Sequence, residues 1–451
     1  MSHLVVIGAG IVGLNCALSA QRRGWRVTLI DRDFEGDRAS HGNAGGLAVS
    51  ECVPLSLAGL GLRPLRWLVD PLGPLAIRPA HAPRLLPWYR ALRKISQKGN
   101  FARIGDALAA LNQHALDPFM AMLAELGLSG DLHRNGALSV YETDGAFLRD
   151  QPSWQFRRER GVRWREVGRE ELHALEPGLA PVFARAIMIE DWAHIDDPRR
   201  IVDRLRHYLA GHGARLVTGE ATALVMAEDG GAGARLADGT VVRGDRVLVA
   251  AGAWAARLAR TVGDVALLES ERGYNTTLPH SAHRLSREVL FAEAMFVATP
   301  LSVGLRIGGA AEFAGLQAPA NYRRSDALLA LSRRYITSLD ERDNHKWMGH
   351  RPATPDSLPV IGRSPHSPRV LYAFGHGHLG LTQSAITGEL IGDLLDDRPT
   401  AIDLSPYGID RFRRGGAHQA ARPVPAPANH GRTRDAAIRQ QEPAARTGST
   451  P

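Results

Sequence analysis

The first 31 residues contain a strand, a glycine-rich turn, a helix and a second strand, and this order constrains the fold more than any other feature. Residues 4–7 form an apolar run of the length that a buried parallel strand requires. A helical pattern runs from residue 11 to about residue 23, and a second strand covers residues 26–30 and ends at Asp31. The sequence therefore predicts a βαβ unit with a tight turn after its first strand.

That turn has the spacing Gly8-x-Gly10-x-x-Gly13, and each glycine has its own task. The first permits a tight turn, the second lets the backbone approach a pyrophosphate, and the third lets the helix pack closely on the strand. The free N–H groups and the positive dipole end of the helix then face the phosphates. Asp31 is placed to bind ribose hydroxyls, and an acid there indicates NAD or FAD rather than NADP.

A second loop of this kind lies near the other end of the chain. The apolar strand 370–374 runs into Gly375-His-Gly-His-Leu-Gly380, and a helix follows to about residue 395. One dinucleotide phosphate does not need two helix N-termini. A flavin dinucleotide can use a second helix N-terminus, because negative charge collects at the N1/C2=O edge of the flavin ring on reduction and the helix dipole stabilises it.

Two other stretches suit close approach of the backbone to a ligand. Residues 40–46, Ser-His-Gly-Asn-Ala-Gly-Gly, contain three glycines, and the buried strand 246–249 ends in the small residues 250–252. A flexible surface loop is the alternative interpretation of residues 40–46. Beside a dinucleotide fold, we favour the ligand.

Composition limits the class of protein. With 451 residues, 44% of them hydrophobic, the chain is long enough for two domains with cores. No run of 18 apolar residues and no signal-peptide pattern is present, so we expect a cytoplasmic protein. Cys16 and Cys52 form neither a disulfide framework nor a zinc site, and no metal is expected.

The net charge of +8 is unevenly distributed. Residues 413–451 carry seven Arg against Asp435 and Glu442, a net charge of +5, which leaves about +3 for the rest. These residues have almost no large apolar side chains, so we predict a disordered basic tail. We expect no nucleic-acid binding by the folded part, while a tail contact with a membrane or nucleic acid stays open.

Residues 53–90 are rich in proline and leucine, with several arginines. A segment lying on a membrane surface is one interpretation. Repeated prolines argue against one continuous amphipathic helix, so we favour a packed irregular cap.

The middle of the chain contains clear element signals. Residues 101–127 have helical spacing, Asp197-Pro198 marks a helix start, and Asp238-Gly239 marks a hairpin turn. An alternating pattern then predicts an antiparallel sheet, and so a second domain. Its predicted strands are 272–278, 290–298 and 303–308.

Together these features resemble the D-amino-acid oxidase superfamily of FAD-dependent oxidoreductases. The likeness is closest to bacterial D-amino-acid dehydrogenases, including those acting on D-proline or D-hydroxyproline. It spans residues 4–395 in the family's order. Besides the two glycine loops and residues 40–45, it is carried by Glu271-Arg-Gly-Tyr274, Gly304-Leu-Arg-Ile-Gly308 and Gly349-His-Arg-Pro-x-Thr-Pro-Asp-Ser-Leu-Pro359.

The resemblance implies an α/β fold with a discontinuous, Rossmann-like FAD-binding domain of the glutathione-reductase type. That domain would comprise residues 1–56, 190–270 and 348–412. Residues 57–189 and 271–347 would form an α+β substrate domain with a mainly antiparallel sheet. The family chemistry is hydride transfer from the α-carbon of an amine to flavin N5, which gives an imine and then a keto acid. A cyclic imine results where the substrate is an imino acid.

The resemblance and the motifs together predict the residues around the cofactor. We see no Cys or His in the pattern used for covalent attachment, so FAD is expected to be non-covalent. The predicted cofactor-binding residues are Gly8, Ala9, Gly10, Ile11, Val12, Gly13, Asp31, Arg32, Ser40, His41, Asn43, Ala44, Gly45, Gly46, Leu47, Ala221, Ala250, Gly252, Trp254, Gly349, Gly375, His376, Gly377, His378, Leu379, Gly380, Leu381 and Thr382.

Arg351 is the predicted clamp for the substrate carboxylate, because a planar, always charged guanidinium binds carboxylates bidentately. A structural Arg that stacks on Trp347 or pairs with an acid is the alternative. Tyr274 is a candidate second contact through its hydroxyl, with a packed strand Tyr as the alternative. Arg306 is a weaker candidate, and a surface role on an edge strand is its leading alternative. The loop histidines 376 and 378 bind near the ring or cap the loop, and neither is assigned as a base.

The amino-acid sequence leaves several alternatives open. The electron acceptor is either a quinone or respiratory chain or O2, and peripheral contact with the inner face of the cytoplasmic membrane is an alternative to a purely cytoplasmic location. Oxidation of glycine or sarcosine by O2 is an alternative within the superfamily. A non-catalytic flavoprotein subunit whose tail recruits a partner is an alternative of another class.

Overall fold

The computed structural model describes residues 1–55, 73, 75–226 and 230–413. Nearly half of the predicted cap, residues 56–72 and 74, lies outside the described residues. So does the predicted basic tail from residue 414 onward.

The strands are spread over the whole described chain. They are β1 (His3–Ile7), β2 (Arg26–Asp31), β3 (Gly46–Leu47), β4 (Leu75–Ile77), β5 (Leu132–His133), β6 (Ala137–Tyr141), β7 (Trp164–Gly168), β8 (Arg185–Ile189), β9 (Ala193–Ile195), β10 (Arg215–Thr218), β11 (Ala221–Met226), β12 (Ala232–Leu236), β13 (Val241–Gly244), β14 (Arg246–Val249), β15 (Glu269–Leu278), β16 (Glu288–Phe291), β17 (Phe296–Leu301), β18 (Gly304–Phe313), β19 (His345–Ala353), β20 (Val360–Arg363) and β21 (Val370–Phe374).

The helices connect these strands. Within the described ranges they are α1 (Ile11–Arg22), α2 (Ala82–Ile95), α3 (Lys98–Gln113), α4 (Leu116–Glu125), α5 (Asp144–Arg158), α6 (Arg169–Leu175), α7 (Pro198–Gly211), α8 (Ala255–Arg260), α9 (Arg323–Ser332) and α10 (Gly380–Leu395).

A parallel sheet confirms the predicted βαβ unit. Its strand order is β10-β2-β1-β14-β21-β20, and all neighbours are parallel except the pair β20–β21. The carboxyl ends of β1, β14 and β21 therefore meet at one edge, where the turns after Ile7, Val249 and Phe374 emerge. The two glycine loops, far apart in the sequence, are brought together by this strand order.

Helices and a small sheet cover the two faces of the parallel sheet. On one face, α1 packs against α10, and Gly388 and Gly392 of α10 let the helices approach closely. On the other face lie α8 and the three-stranded sheet β11-β12-β13. Its Asp238-Gly239 turn confirms the predicted hairpin. Burial on both faces explains why β1 and β14 read as continuous apolar runs.

The second large sheet has the order β19-β15-β18-β17-β16-β6-β8-β7, with β4 paired to β18. It is mainly antiparallel, with parallel pairs β6–β16 and β4–β18. The predicted strands 272–278 and 303–308 lie within β15 and β18. The predicted single strand 290–298 is wrong: β16 and β17 are separated by a turn in which Met295 has a φ of 58°.

The two sheets draw their strands from different parts of the chain. Strands of the parallel sheet fall within residues 1–56, 190–270 and 348–412. Strands of the second sheet come from residues 75–189 and 269–353. The domain boundaries given above stay a prediction.

Three local predictions can be compared with the described residues. Helices α3 and α4 confirm the helical spacing of residues 101–127, and Asp197 caps α7 by accepting a hydrogen bond from the N–H of Arg199 at 2.9 Å. The irregular cap is wrong for residues 82–90, because α2 runs through Pro87. Leu85, Trp88 and Leu92 form a buried apolar face there, and its packing outweighs the one lost backbone hydrogen bond.

Cys16 and Cys52 are both buried and free of disulfides. Burial raises the pKa of the Cys16 thiol and raises that of Cys52 to about 11. Within the described residues, no helix is both long and apolar enough to cross a bilayer.

Replacing Gly13 with Ala should destabilise the fold. A Cβ at this position would lie 2.0 Å from the carbonyl oxygen of Gly8, so α1 could not keep its distance from the turn. We expect a loss of at least about 2 kcal/mol in the free energy of unfolding, measured with denaturant. Gly168→Ala is the matched control, since nothing lies within 4 Å of its Cβ position. Equal stability of the two variants would contradict the packing described.

Candidate active site

One cavity of about 1200 Å³ lies between the carboxyl edge of the parallel sheet and the face of the second sheet. The turns after β1, β14 and β21 all line it. So do residues of β15, β18 and β19. Its volume exceeds the roughly 300–1,000 Å³ of most small-ligand pockets, as a site for a dinucleotide together with a substrate requires.

The N-terminal turn forms an open cradle at the start of α1. The Asp31 carboxylate accepts a hydrogen bond from the N–H of Ala9 at 2.7 Å and another from the N–H of Asp33 at 3.1 Å. A Cβ on Gly10 would meet only the Ser40 hydroxyl, at 3.3 Å, so the space in front of this residue is open. These features fit the pyrophosphate and ribose of a dinucleotide.

An aromatic residue and an arginine lie beside that cradle. The Arg32 guanidinium stacks on the Trp254 ring, with its central carbon 4.0 Å from the ring centroid. Both residues line the cavity together with Ala221. The His350 imidazole meets the Trp254 ring edge-on, and burial lowers its pKa to about 4.

Residues 42–46 pass across the face of the second sheet. Asn275 donates its side-chain amide to the carbonyl of Gly42 at 2.6 Å, and Arg306 donates to the carbonyl of Asn43 at 2.7 Å. The Trp347 ring lies directly against Gly42, where any side chain would collide with it. The sheet therefore fixes the loop that the sequence places near a flavin.

The C-terminal loop is held by β19. The N–H of Gly377 donates to the carbonyl of Pro352 at 3.0 Å, and Ala353 pairs with His376. His376 is buried, and burial lowers its pKa to about 3, so its ring is neutral. Its Nε2 is 3.0 Å from the Thr387 hydroxyl in α10, which makes it a loop-positioning residue. His378 is exposed and lines the cavity.

Most of the predicted cofactor residues line the cavity, and six do not. Those six are buried and support the lining: Gly13 packs on Gly8, and the Thr382 hydroxyl accepts a hydrogen bond from the N–H of Ala48 at 3.0 Å. Gly349 lines the cavity, but its missing side chain makes room for the Trp347 ring. The six that do not line the cavity are Ala9, Gly13, His41, Leu47, Leu379 and Thr382.

Arg351 lies on β19 directly opposite Glu271 of β15, and both residues line the cavity. Its Nη1 is 2.8 Å from Glu271 Oε1, and the two side chains are 29% and 21% exposed. The structure therefore agrees with the alternative of an acid-paired Arg351. The pair faces the cavity rather than the protein interior, so its partners can exchange.

Tyr274 has little freedom to contact a substrate through its hydroxyl. The side chain is buried, its hydroxyl donates to Glu312 Oε2 at 2.5 Å, and it accepts a hydrogen bond from the N–H of Asn321 at 3.0 Å. Only its ring remains available where the residue lines the cavity.

The surface role on an edge strand is wrong for Arg306, because β18 lies between β15 and β17 and the side chain is buried. It is 8% exposed, its Nε donates to the Thr277 hydroxyl at 3.0 Å, and among the described residues no carboxylate lies within 4.0 Å of its guanidinium. Burial lowers its pKa to about 10, so it stays charged at neutral pH. The sequence signal for this role was a charged residue between two apolar ones, Leu305 and Ile307, in a strand that is buried on both faces.

Glu288 was missed altogether. It is 3% exposed, lines the cavity, and accepts a hydrogen bond from the Trp192 indole N–H at 2.9 Å. Its carboxylate lies against Gly46, and burial raises its pKa to about 7. No group of three metal-binding side chains occurs among the described residues.

Comparison with known proteins agrees with this geometry. A family model described as FAD dependent oxidoreductase matches residues 3–394. This chain belongs to that family. The match takes in both glycine loops and the strands between them, so the cofactor is FAD, whose phosphates the α1 cradle fits.

Individual relatives cover nearly the whole chain of this FAD-dependent oxidoreductase. A D-amino-acid oxidase of Bradyrhizobium diazoefficiens is 34% identical over 419 residues, covering 91% of this chain and 99% of the relative. Glycine oxidase from Geobacillus kaustophilus has a TM-score of 0.69 at 21% identity, covering 91% and 99% of the two chains. L-proline dehydrogenase from P. horikoshii has a TM-score of 0.69 at 19% identity, covering 92% and 98%. At these identities the two structures show the shared fold.

The chain is therefore an FAD-dependent oxidoreductase that acts on amino acids. FAD, when bound, supplies the hydride acceptor. The protein supplies the cradle for FAD, the two cations Arg351 and Arg306, and the buried acid Glu288.

Gly10→Val should abolish FAD binding while leaving the protein folded. The valine side chain would enter the open space at the head of α1, where the phosphates bind. We expect no flavin absorbance in the purified variant and an unchanged circular dichroism spectrum. A yellow variant with normal absorbance would show that the pyrophosphate binds elsewhere.

Glu288 should make stability depend on pH. Its folded pKa of about 7 lies above the ordinary glutamate pKa of 4.5, so the unfolded state releases the proton first as pH rises. The stabilising contribution of the protonated acid is complete below pH 4.5 and is lost between pH 4.5 and 7, by about 3 kcal/mol in total.

Glu288→Gln should remove that loss, since an amide does not ionise. The measurement is the free energy of unfolding of both proteins at pH 4.5 and 7.5. Relative to the wild type, the free energy of unfolding of Glu288→Gln should be higher at pH 7.5 than at pH 4.5. The exposed control Glu170→Gln should show no such difference. Parallel pH profiles for all three proteins would show that Glu288 does not lose its proton between pH 4.5 and 7.5 in the folded protein.

Proposed function

We propose that this enzyme oxidises D-amino or D-imino acids by hydride transfer from the α-carbon to flavin N5, giving an imine that water hydrolyses. The observation that carries the proposal is that Arg351 and both glycine loops open into one cavity. The relative named D-amino-acid oxidase, alignable over nearly the whole chain, supports the D configuration.

Arg351 is the proposed carboxylate clamp. Its guanidinium can bind both carboxylate oxygens and so fix the α-carbon relative to the ring. Glu271, already paired with Arg351, would then accept a hydrogen bond from the substrate amine. Positioning supplies most of the catalytic help when the amine binds neutral, and we assign no general base.

Arg306 has a different proposed role. Its Nη1 and Nε are engaged by the Asn43 carbonyl and the Thr277 hydroxyl, so it is a fixed charge rather than a mobile clamp. A fixed, buried positive charge stabilises negative charge that develops nearby, and costs no reorganisation when it does.

The decisive experiment for this function is anaerobic bleaching of the flavin by a substrate panel. The panel contains D- and L-amino acids, D-proline, D-hydroxyproline, glycine and sarcosine. We expect the D-amino or D-imino acids to bleach the flavin fastest. Preferred bleaching by glycine or sarcosine would replace this function with the amine oxidase alternative, and no bleaching by any amine would indicate a non-catalytic subunit.

The acceptor is measured separately, by mixing the reduced enzyme with air-saturated buffer. As a dehydrogenase that passes electrons to a quinone or respiratory chain, it should reoxidise slowly in air and rapidly with a soluble quinone. Rapid formation of peroxide in air would make it an oxidase.

Arg351→Leu should raise KM for the best substrate by about 100-fold, because a charge-assisted contact to the carboxylate is lost. FAD should stay bound, since Arg351 does not belong to either glycine loop. Steady-state kinetics and the flavin spectrum measure the two effects. Arg333→Leu, which breaks a surface pair with Glu341, is the matched control and should leave KM unchanged. An unchanged KM in Arg351→Leu would remove this residue from the substrate site.

A further inference from the structure

Helix α2 has one buried face, which anchors it next to the active-site strand. Leu85, Trp88 and Leu92 are each no more than 4% exposed and pack with Phe313 and Ala353. The Trp88 indole N–H donates to the carbonyl of Ala353 at 3.1 Å, two residues beyond Arg351 on β19. The orientation of the helix is therefore fixed by its apolar face.

The opposite face of α2 combines cations with exposed apolar side chains. Leu86 is 45% and Tyr89 46% exposed, and a spacing of three residues places them on the same side of the helix. We call this surface the basic face of α2. It comprises Arg84, Leu86, Pro87, Tyr89, Arg90, Arg93 and Lys94, all of them exposed.

No acidic residue balances these cations locally. Residues 75–105 contain seven Lys and Arg and no Asp or Glu, a net charge of +7. With the +5 of residues 413–451, this leaves the rest of the chain with a net charge of −4. Within the described chain, none of the four cations of the basic face forms an ion pair with a carboxylate within 4.0 Å.

A surface of this composition suits a layer that is both anionic and apolar. Each Lys or Arg near an anionic bilayer contributes about 1 kcal/mol of attraction, close to a fivefold change in affinity. Exposed leucine and tyrosine side chains gain by entering the boundary between headgroups and acyl chains. A nucleic acid or acidic protein would match the cations but would leave Leu86 and Tyr89 without an apolar partner.

We propose that the basic face of α2 binds the surface of a membrane that contains anionic phospholipid. The inference goes beyond the proposed function, because it concerns where the enzyme sits and not what it oxidises. It would hold the strand that carries Arg351 about one helix diameter, roughly 10 Å, from the bilayer surface. Electrons could then pass to an acceptor within the membrane.

The test measures vesicle binding by the full-length holoenzyme. Vesicles of phosphatidylcholine alone are compared with vesicles containing 30% phosphatidylglycerol, by co-sedimentation at low and at high salt. We expect binding only to the anionic vesicles, and release by salt. Equal binding to both kinds of vesicle, or to neither, would overturn the proposal.

Two variants and one control locate the binding surface. Arg90→Glu, Arg93→Glu and Lys94→Glu combined should weaken binding by about 100-fold or more, because three attractive charges are lost and three repulsive ones are added. Leu86→Ser with Tyr89→Ser should weaken it by about 10-fold. The control combines Arg215→Glu, Arg243→Glu and Arg260→Glu, which are exposed cations on other elements and change the net charge equally. It should bind like the wild type.

Other occupants of the surface give distinct results. If the α2 charge variant still binds the anionic vesicles, the binding belongs to the basic tail, or another part of the chain covers α2. Binding weakened equally by the control would make it a net-charge effect. Tighter binding to a DNA duplex than to the vesicles, unaffected by the serine variant, would make the partner a nucleic acid. Each of these outcomes overturns the proposal.

Oxidation of the best amino acid with a soluble quinone is measured alongside. It should be the same in all these proteins, because no residue of the basic face lines the active-site cavity. Loss of vesicle binding with full activity therefore separates this proposal from the proposed function.

Discussion

The contact between the head of α1 and the first glycine turn is the constraint on which the remaining structure depends. Gly8 has a φ of 107°, and both it and Gly13 lie where a Cβ would collide with backbone atoms. The turn touches Ala250 at the end of β14, which in turn pairs with β21. Close packing here brings three strand ends, from distant parts of the chain, around one cofactor. Without it, neither glycine loop would face the other.

Charge inside the cavity is arranged by the second sheet. Arg351 and Glu271 are direct neighbours across β19 and β15, and Arg306 is a direct neighbour of Thr277 across β18 and β15. These side chains are held by strand register rather than by loops, so their separation is well defined. The site thus combines one neutralised, partly exposed ion pair with one buried cation that has no acidic partner within the described chain. The first can exchange partners with a substrate that carries a carboxylate and an amine, and the second is held in place by its hydrogen bonds.

Much of the cofactor site could be predicted because its signals are local. A glycine in a turn between a strand and a helix has steric causes that are complete within about ten residues, so Gly8, Gly10 and Gly13 could be interpreted correctly. The partner of Arg351 could not be found in this way, since Glu271 is 80 residues away and the pairing depends on sheet register. Glu288 and Arg306 look like ordinary strand residues until their burial is known. At Pro87 the local signal was clear but the prediction was wrong, because the tertiary packing of Trp88 outweighed the local preference of proline against helix.

The two cysteines carry a consequence for durability. Peroxide and electrophiles attack the thiolate form of cysteine, and burial holds both thiols of this chain in the protonated form well above neutral pH. Cys16 is buried within α1, the helix whose N-terminus forms the cofactor cradle, so a bulkier oxidised sulfur would disturb the packing of that helix. The helix that supports the cofactor is therefore protected from thiol oxidation by peroxide, which forms when reduced flavin meets dissolved oxygen.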